Sequence, residues 1–84
     1  MARFNGHKNW NHWNVSLWIN NDEELYRTAL FYVGHYREAR GQGLTGRDRA
    51  VNAMMDYFRA RNITNTPDGA PYSKTAIRAA MRGM

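Results

Sequence analysis

The chain carries few side chains that could hold a metal ion. Its three histidines, His7, His12 and His35, lack the His-x3-His spacing and the accompanying carboxylate or thiolate that a zinc site needs. The sequence contains no cysteine, so it offers no thiolate ligand, thiol nucleophile or disulfide. We therefore expect no metal centre and no cofactor.

The carboxylates are placed where local structure accounts for them. The acidic run 22–24 suits the first turn of a helix, Asp48 suits a helix cap, and Asp68 suits a turn. The glycine-rich stretch GQGLTG, residues 41–46, has neither a preceding strand nor the following Gly-Lys-Ser/Thr of a phosphate-binding loop. The sequence predicts no catalytic residues and no enzyme.

The basic residues are the remaining candidates for function. The formal net charge is +5, and ten of the twelve basic residues are arginine, whose guanidinium pairs bidentately with phosphate and carboxylate. Residues 1–24 carry two basic and three acidic side chains, whereas residues 25–84 carry ten basic and four acidic ones. The excess of positive charge is therefore in the later part of the chain. An ordinary solvated surface is the alternative explanation for it.

The sharpest candidate site is a stripe along the last predicted helix. Lys74, Arg78 and Arg82 are spaced i, i+4, i+8 and so share one helical face. Lys74 would lie in the first turn, where the helix dipole disfavours a cation, so the dipole does not explain the stripe. The full set of residues predicted to contact a partner or nucleic acid is Lys74, Arg78, Arg82, Arg59, Arg61, Arg47 and Arg49.

Four segments of helical periodicity would have to position these residues. The first covers about residues 11–19. The second begins at an N-cap, Asn21, and is stopped by Gly41. The third follows a capping box of Thr45 and Asp48 and runs to about residue 61.

The fourth segment is capped by Ser73, with Tyr72 and Ile77 placed as a hydrophobic staple. Before it, residues 66–69, Thr-Pro-Asp-Gly, predict a tight turn, and Asn62 suits a left-handed helix end. The expected fold is all-α, a single small helical domain over residues 1–84. We expect about four short helices in an irregular orthogonal array and not a regular up-down bundle.

The three tryptophans fall within nine positions of the first segment. Trp10, Trp13 and Leu17 lie on one arc of a helical wheel, which favours the core over a base-stacking platform and predicts that they are mostly buried. Trp18 lies at the edge of the arc and is expected to be partly exposed. Asn14 lies inside it, and a buried amide there must find hydrogen-bond partners.

The longest apolar run, residues 29–33, is too short to span a bilayer, and the N-terminal residues lack the apolar region of a secretory signal. We expect a protein of the cytoplasm of its host cell, without membrane contact.

The segment NWNHWNVSLWINNDEELY, residues 9–26, resembles a family of small proteins from bacteriophages and related mobile elements. Their pattern is Asn-Tyr-x-Thr-Trp-Asn-Val/Ala-x-Leu-Trp-x-x-Asn-Asp, followed by a Leu-Tyr pair. The matching positions are Asn9, Trp13, Asn14, Val15, Leu17, Trp18, Asn21, Asp22, Leu25 and Tyr26. Trp10 and His12 depart from it, standing where the family has tyrosine and threonine. The resemblance implies a phage-type accessory protein and assigns no activity.

Two functions follow as hypotheses. The first is an inhibitor that binds a host defence nucleoprotein complex, of the CRISPR or restriction type, through its Arg-rich half. It would not mimic DNA, since such a mimic must be acidic. The second is a direct DNA- or RNA-binding protein or regulator that uses the stripe on the last helix, with Asn52 as a candidate for base contact.

Overall fold

The computed structural model describes residues 7–38 and 45–84. Four α-helices are found in these ranges, which confirms the all-α fold class. They are α1 (Trp10–Asn21), α2 (Glu23–His35), α3 (Gly46–Ala60) and α4 (Lys74–Ala80). None of them is long and apolar enough to cross a membrane.

Side chains cap the N-terminus of every one of these helices. The capping box of Thr45 and Asp48 is present, and the Ser73 side chain accepts a hydrogen bond from the backbone N–H of Ala76, as predicted. The predicted cap of α2 is wrong by one residue. Asn21 is the last residue of α1, and the cap is Asp22, whose carboxylate accepts from the N–H of Leu25.

The physical reason is that α1 continues two residues beyond its predicted end. The Asn21 side chain donates to the backbone carbonyl of Leu17, one turn earlier, and so stays with α1. The adjacent carboxylate of Asp22 then caps α2, where its negative charge meets the positive end of the helix dipole. At its other end α2 stops at His35, with Tyr36 as its C-cap. Gly41, the predicted stop, lies outside the described residues.

Each helix packs against two others. The most extensive packing joins α1 to α4, and α1 also contacts α2, while α3 contacts both α2 and α4. The radius of gyration is 12.5 Å, close to the roughly 12 Å of a compact single domain of this length. The core-facing sides of α3 and α4 are formed by Ala50, Val51, Met54, Phe58, Ile77, Ala80 and Met81.

The predicted inner face of α1 is wrong at two of its positions, Trp10 and Leu17, whereas Asn14 is buried and Trp13 is half-buried. Trp10 is 39% exposed and Leu17 is 37% exposed, whereas Val15 and Ile19 are fully buried. At about 100° per residue, Val15 and Ile19 are centred roughly 150° from the middle of the predicted arc. The apolar residues of α1 are distributed around the whole helix, so more than one side could face the core. The small branched side chains of Val15 and Ile19 pack against the neighbouring helices, while the larger indoles lie at the edge of the core. Trp18 is partly exposed, as predicted.

The connection from α3 to α4 is a folded loop. Asn62 adopts the predicted left-handed conformation, with φ at 55°. The N–H of Gly69 donates to the carbonyl of Thr66 at 2.9 Å, which closes the predicted turn through Pro67 and Asp68. The loop is pinned to α1, because the buried side chain of Asn14 bonds to both Thr66 and Asp68.

Candidate functional site

A depression of about 230 Å³ separates the first turns of α3 and α4. Two residues of the predicted stripe, Lys74 and Arg78, line it, together with Thr75 of α4. Asn52 and Asp48 of α3 line the opposite side. We call this depression the basic groove. Both cationic side chains are exposed to solvent.

Arg78 is held in place by Asp48. The guanidinium of Arg78 forms an ion pair with one carboxylate oxygen of Asp48, while the other oxygen bonds the backbone N–H and the hydroxyl of Thr45. The Thr45 backbone, the Thr45 hydroxyl and Arg78 together lower the pKa of Asp48. One carboxylate therefore caps α3 and orients the central residue of the stripe, so Arg78 is not a freely available cation.

The start of α1 extends the positive surface beside α4. The His12 ring approaches the hydroxyl of Thr75 at 3.3 Å. Burial lowers the pKa of His12, and the charges of Lys8, His7 and Arg82 lower it further. The contact between His12 and Thr75 joins the start of α1 to α4, although the two are far apart in sequence. We define the α1–α4 basic face as Lys8, His12, Lys74, Arg78 and Arg82.

The other four predicted arginines do not join this face as one patch. Arg59 and Arg61 lie at the far end of α3, roughly 18 Å from its first turn at 1.5 Å per residue. Arg59 pairs with Asp56 at 2.8 Å, and the Arg61 guanidinium lies 4.0 Å from the centroid of the Tyr57 ring.

Arg47 and Arg49 lie in the first turn of α3, on either side of Asp48 in sequence, and both are half-buried. Arg49 lines a separate depression together with Tyr36 and Asp56. Lys74 and Arg78 share the basic groove, as the predicted stripe requires. Arg82 does not extend the stripe along the helix, because α4 ends at Ala80 and Arg82 lies in the turn that follows. Sequence reasoning missed Lys8 and His12. No local spacing could have placed those two beside α4.

A second, larger cleft of about 480 Å³ lies where the junction of α1 and α2 meets α3 and the 62–72 loop. Four aromatic rings and two carboxylates line much of it. No basic residue is found among the described residues that line it. We call it the aromatic cleft, and these six side chains are Trp18, Tyr57, Phe58, Tyr72, Asp22 and Glu24.

Hydrogen bonds and ring stacking fix the walls of the aromatic cleft. The Tyr57 hydroxyl donates to Glu24 at 2.5 Å. The rings of Phe58 and Tyr72 stack with centroids 4.0 Å apart. Burial, and secondarily the charge of Asp22, raises the pKa of Tyr72 to about 12, so its hydroxyl stays protonated at neutral pH.

Sequence reasoning assigned Asp22 and Glu24 only to the first turn of α2 and did not predict the cleft. Asp22 does cap that helix. The side chains that share the cleft with these carboxylates come from α1, α3 and the following loop, so no single segment carries a signal for it.

No curated protein and no solved structure matches the chain. One protein family does match, and its match extends over residues 1–84, the whole sequence. The chain therefore belongs to DUF7249, a family of unknown function.

Proposed function

We propose that this protein is a phage-type accessory protein that acts by binding, with its α1–α4 basic face against an anionic partner. The partner class we propose is a host defence nucleoprotein complex of the CRISPR or restriction type, inhibited in the cytoplasm of the host cell. The observation that carries the proposal is the basic groove, where Lys74 lies beside an Arg78 that is oriented by Asp48. The charges of Lys8 and Arg82 act on His12, which contacts Thr75 of the same groove. The sequence resemblance to small phage proteins supplies the biological setting.

The availability of the charges supports an anionic partner. Lys74 and Arg82 are exposed and form no salt bridge with any residue in the described ranges. Arg78 is less available than these two cations, because it already pairs with Asp48.

The size of the face favours a nucleoprotein over bare duplex DNA. α4 has seven residues and is about 10 Å long, so its cations can reach only a few phosphates. Neutralising three or four phosphates gives a shallow dependence on salt and little affinity of its own. Tight binding then requires protein contacts beside the phosphates, and a protein–nucleic acid complex provides both.

Direct nucleic-acid binding is the second candidate. Asn52 lines the basic groove with Lys74 and Arg78. A side-chain amide that faces two cations across a groove has the donor and acceptor that pair with the edge of adenine, while the cations contact phosphates. This arrangement would suit a regulator that binds DNA or RNA without a protein partner.

The two candidates are separated by fluorescence anisotropy with labelled duplex and single-stranded DNA at about 50 and 200 mM salt. Under the nucleoprotein proposal we expect weak binding to free DNA, and inhibition of DNA cleavage by a reconstituted CRISPR or restriction complex. Tight binding to free DNA that collapses at the higher salt would favour the second candidate.

The variant for both assays is the double substitution Lys74→Gln with Arg82→Gln. Its matched control is Arg27→Gln with Arg37→Gln, which removes the same charge from two exposed arginines outside the predicted contact set. Loss of inhibition in the first variant alone supports the basic face. Equal inhibition by wild type and both variants would reject it.

A further inference from the structure

The aromatic cleft is a concave site whose composition contrasts with the rest of the molecule. The chain has a net charge of +5, yet the cleft contains two carboxylates and no basic residue within the described part of its lining. A third carboxylate, Asp68, accepts a hydrogen bond from the indole N–H of Trp18 at 2.9 Å and so lies at the edge of the same wall. The described lining of the cleft is therefore acidic in an otherwise basic protein.

The rings supply the second half of a cation site. Phe58 and Tyr72 are buried and stack on each other, whereas Trp18 and Tyr57 are partly exposed to solvent. A cation that lies over the face of a tryptophan or tyrosine ring is attracted by the negative charge of its π system. Carboxylates beside such faces add direct ion pairing.

A guanidinium fits these groups better than an ammonium. It is planar, so it can stack on an aromatic face while its edge forms two parallel hydrogen bonds to a carboxylate. The protein already makes such a contact next to the cleft, since Arg61 places its guanidinium 4.0 Å from the Tyr57 ring centroid. Arg61 itself lines a neighbouring depression on the α2 side of that ring.

From these observations we propose that the aromatic cleft binds an arginine side chain presented by a partner protein, with Trp18 and Tyr57 as the stacking rings and Asp22 and Glu24 as the counter-charges. The volume of about 480 Å³ is within the usual range for a ligand pocket and leaves space for the partner's flanking backbone. This site uses a different surface from the α1–α4 basic face and does not depend on the function proposed for that face.

The probe for the test is N-acetyl-L-arginine amide, titrated into the full chain and followed by the NMR signal of the Trp18 indole N–H. We expect saturable shifts of this signal and of the Tyr57 and Tyr72 rings. The citrulline counterpart has nearly the same shape without the charge, and we expect it to bind about tenfold more weakly. Equal affinity for the two probes, or shifts that never saturate, would overturn the proposal.

Two conservative variants test the carboxylates without removing their structural contacts. Glu24→Gln keeps an acceptor for the Tyr57 hydroxyl, and Asp22→Asn keeps a good N-cap for α2. We expect each to weaken binding of the arginine probe several-fold.

The matched control is Glu23→Gln, one position away, whose carboxylate pairs with Arg27 on the surface of α2 and does not line the cleft. It removes the same charge and should leave the affinity unchanged. Similar losses in all three variants would show only a diffuse electrostatic effect and would count against the site.

Two further measurements exclude other occupants. The corresponding lysine probe should bind more weakly than the arginine probe, and equal binding would overturn the assignment to guanidinium.

Sedimentation velocity of the chain across a range of concentrations should show a monomer. A dimer that Glu24→Gln dissociates would mean that the cleft takes a side chain of a second copy, which would overturn the assignment to a partner protein.

Discussion

The hydroxyl of Thr66 donates a 2.6 Å hydrogen bond to the side-chain oxygen of Asn14, 52 positions earlier in the chain. Both residues are buried, at 4% and 1% exposure. The amide nitrogen of Asn14 donates in turn to Asp68, which also accepts from Trp18. The side chains of Asn14, Thr66 and Asp68, which we call the Asn14 clamp, fasten α1 to the loop between α3 and α4.

Replacing Asn14 with alanine should destabilise the fold by about 1–3 kcal/mol, because a buried hydroxyl then loses its acceptor. The free energy of unfolding is measured by urea denaturation. Asn20→Ala is the control on the same helix, since the Asn20 side chain is exposed and bonds only within its own turn. Equal stability of the two variants would show that the clamp contributes nothing.

Stability should fall in acid partly through Asp68. The hydrogen bond from Asn14, and then the one from Trp18, lowers the pKa of Asp68 in the folded state. Its contribution is therefore complete above the unfolded-state pKa of about 4 and is lost as the pH falls through the lower folded-state value. In thermal melts from pH 7 to pH 3, Asp68→Asn should lose less stability on acidification than wild type. Parallel curves would contradict this.

Two glycine-to-alanine substitutions should act in opposite directions. A Cβ at Gly46 would lie 2.0 Å from the backbone carbonyl oxygen of Tyr36, so α3 would have to move away from the end of α2. We expect Gly46→Ala to cost about 1–3 kcal/mol as overpacking. Gly34 has open space around its Cβ position within α2, and Gly34→Ala should stabilise by about 0.5–1 kcal/mol. Differential scanning calorimetry of both variants decides this, and stabilisation by both would show that the close approach is not rigid.

The orientation of α1 can be tested through two of its apolar side chains. Ile19 is fully buried, so Ile19→Ala should cost about 2–5 kcal/mol, whereas Trp10→Ala should cost less despite removing a larger group. Urea denaturation of the two variants gives the comparison. The reverse order would restore the tryptophan-centred core that the sequence pattern favours.

Releasing Arg78 should increase binding to anions. Asp48→Asn removes the counter-charge of Arg78 and weakens the cap of α3, so we expect a less stable protein that binds a short polyphosphate more tightly. Affinity is measured by isothermal titration calorimetry. An unchanged affinity for polyphosphate would show that the ion pair places no restraint on Arg78.

Local patterns predicted the elements well and the orientation of α1 poorly. The capping box at Thr45 and the cap at Ser73 depend on neighbours within a few residues, and both are confirmed. Apolar residues occur on every side of α1, so their periodicity does not select one face. The orientation of α1 depends instead on contacts with distant elements, such as the bonds of Asn14 to Thr66 and Asp68, more than 50 positions away.

The same distinction holds for the candidate sites. The spacing of Lys74 and Arg78 placed them on one face of α4, where the structure also has them. The ion pair between Arg78 and Asp48 joins residues 30 positions apart, and Asp48 carried a sufficient local explanation as a cap. The residues of the aromatic cleft come from separate parts of the chain. In the sequence, Asp22 and Glu24 are therefore indistinguishable from ordinary carboxylates of a first helical turn.

The Asn14 clamp also has a consequence for folding kinetics. Its two bonds from Asn14 close loops of more than 50 residues, and closing such a loop costs entropy before the bonds form. We expect these contacts to be absent from the transition state for folding. Asn14→Ala should then leave the refolding rate nearly unchanged and accelerate unfolding. The clamp would then slow unfolding and so determine the lifetime of the native protein once it has formed.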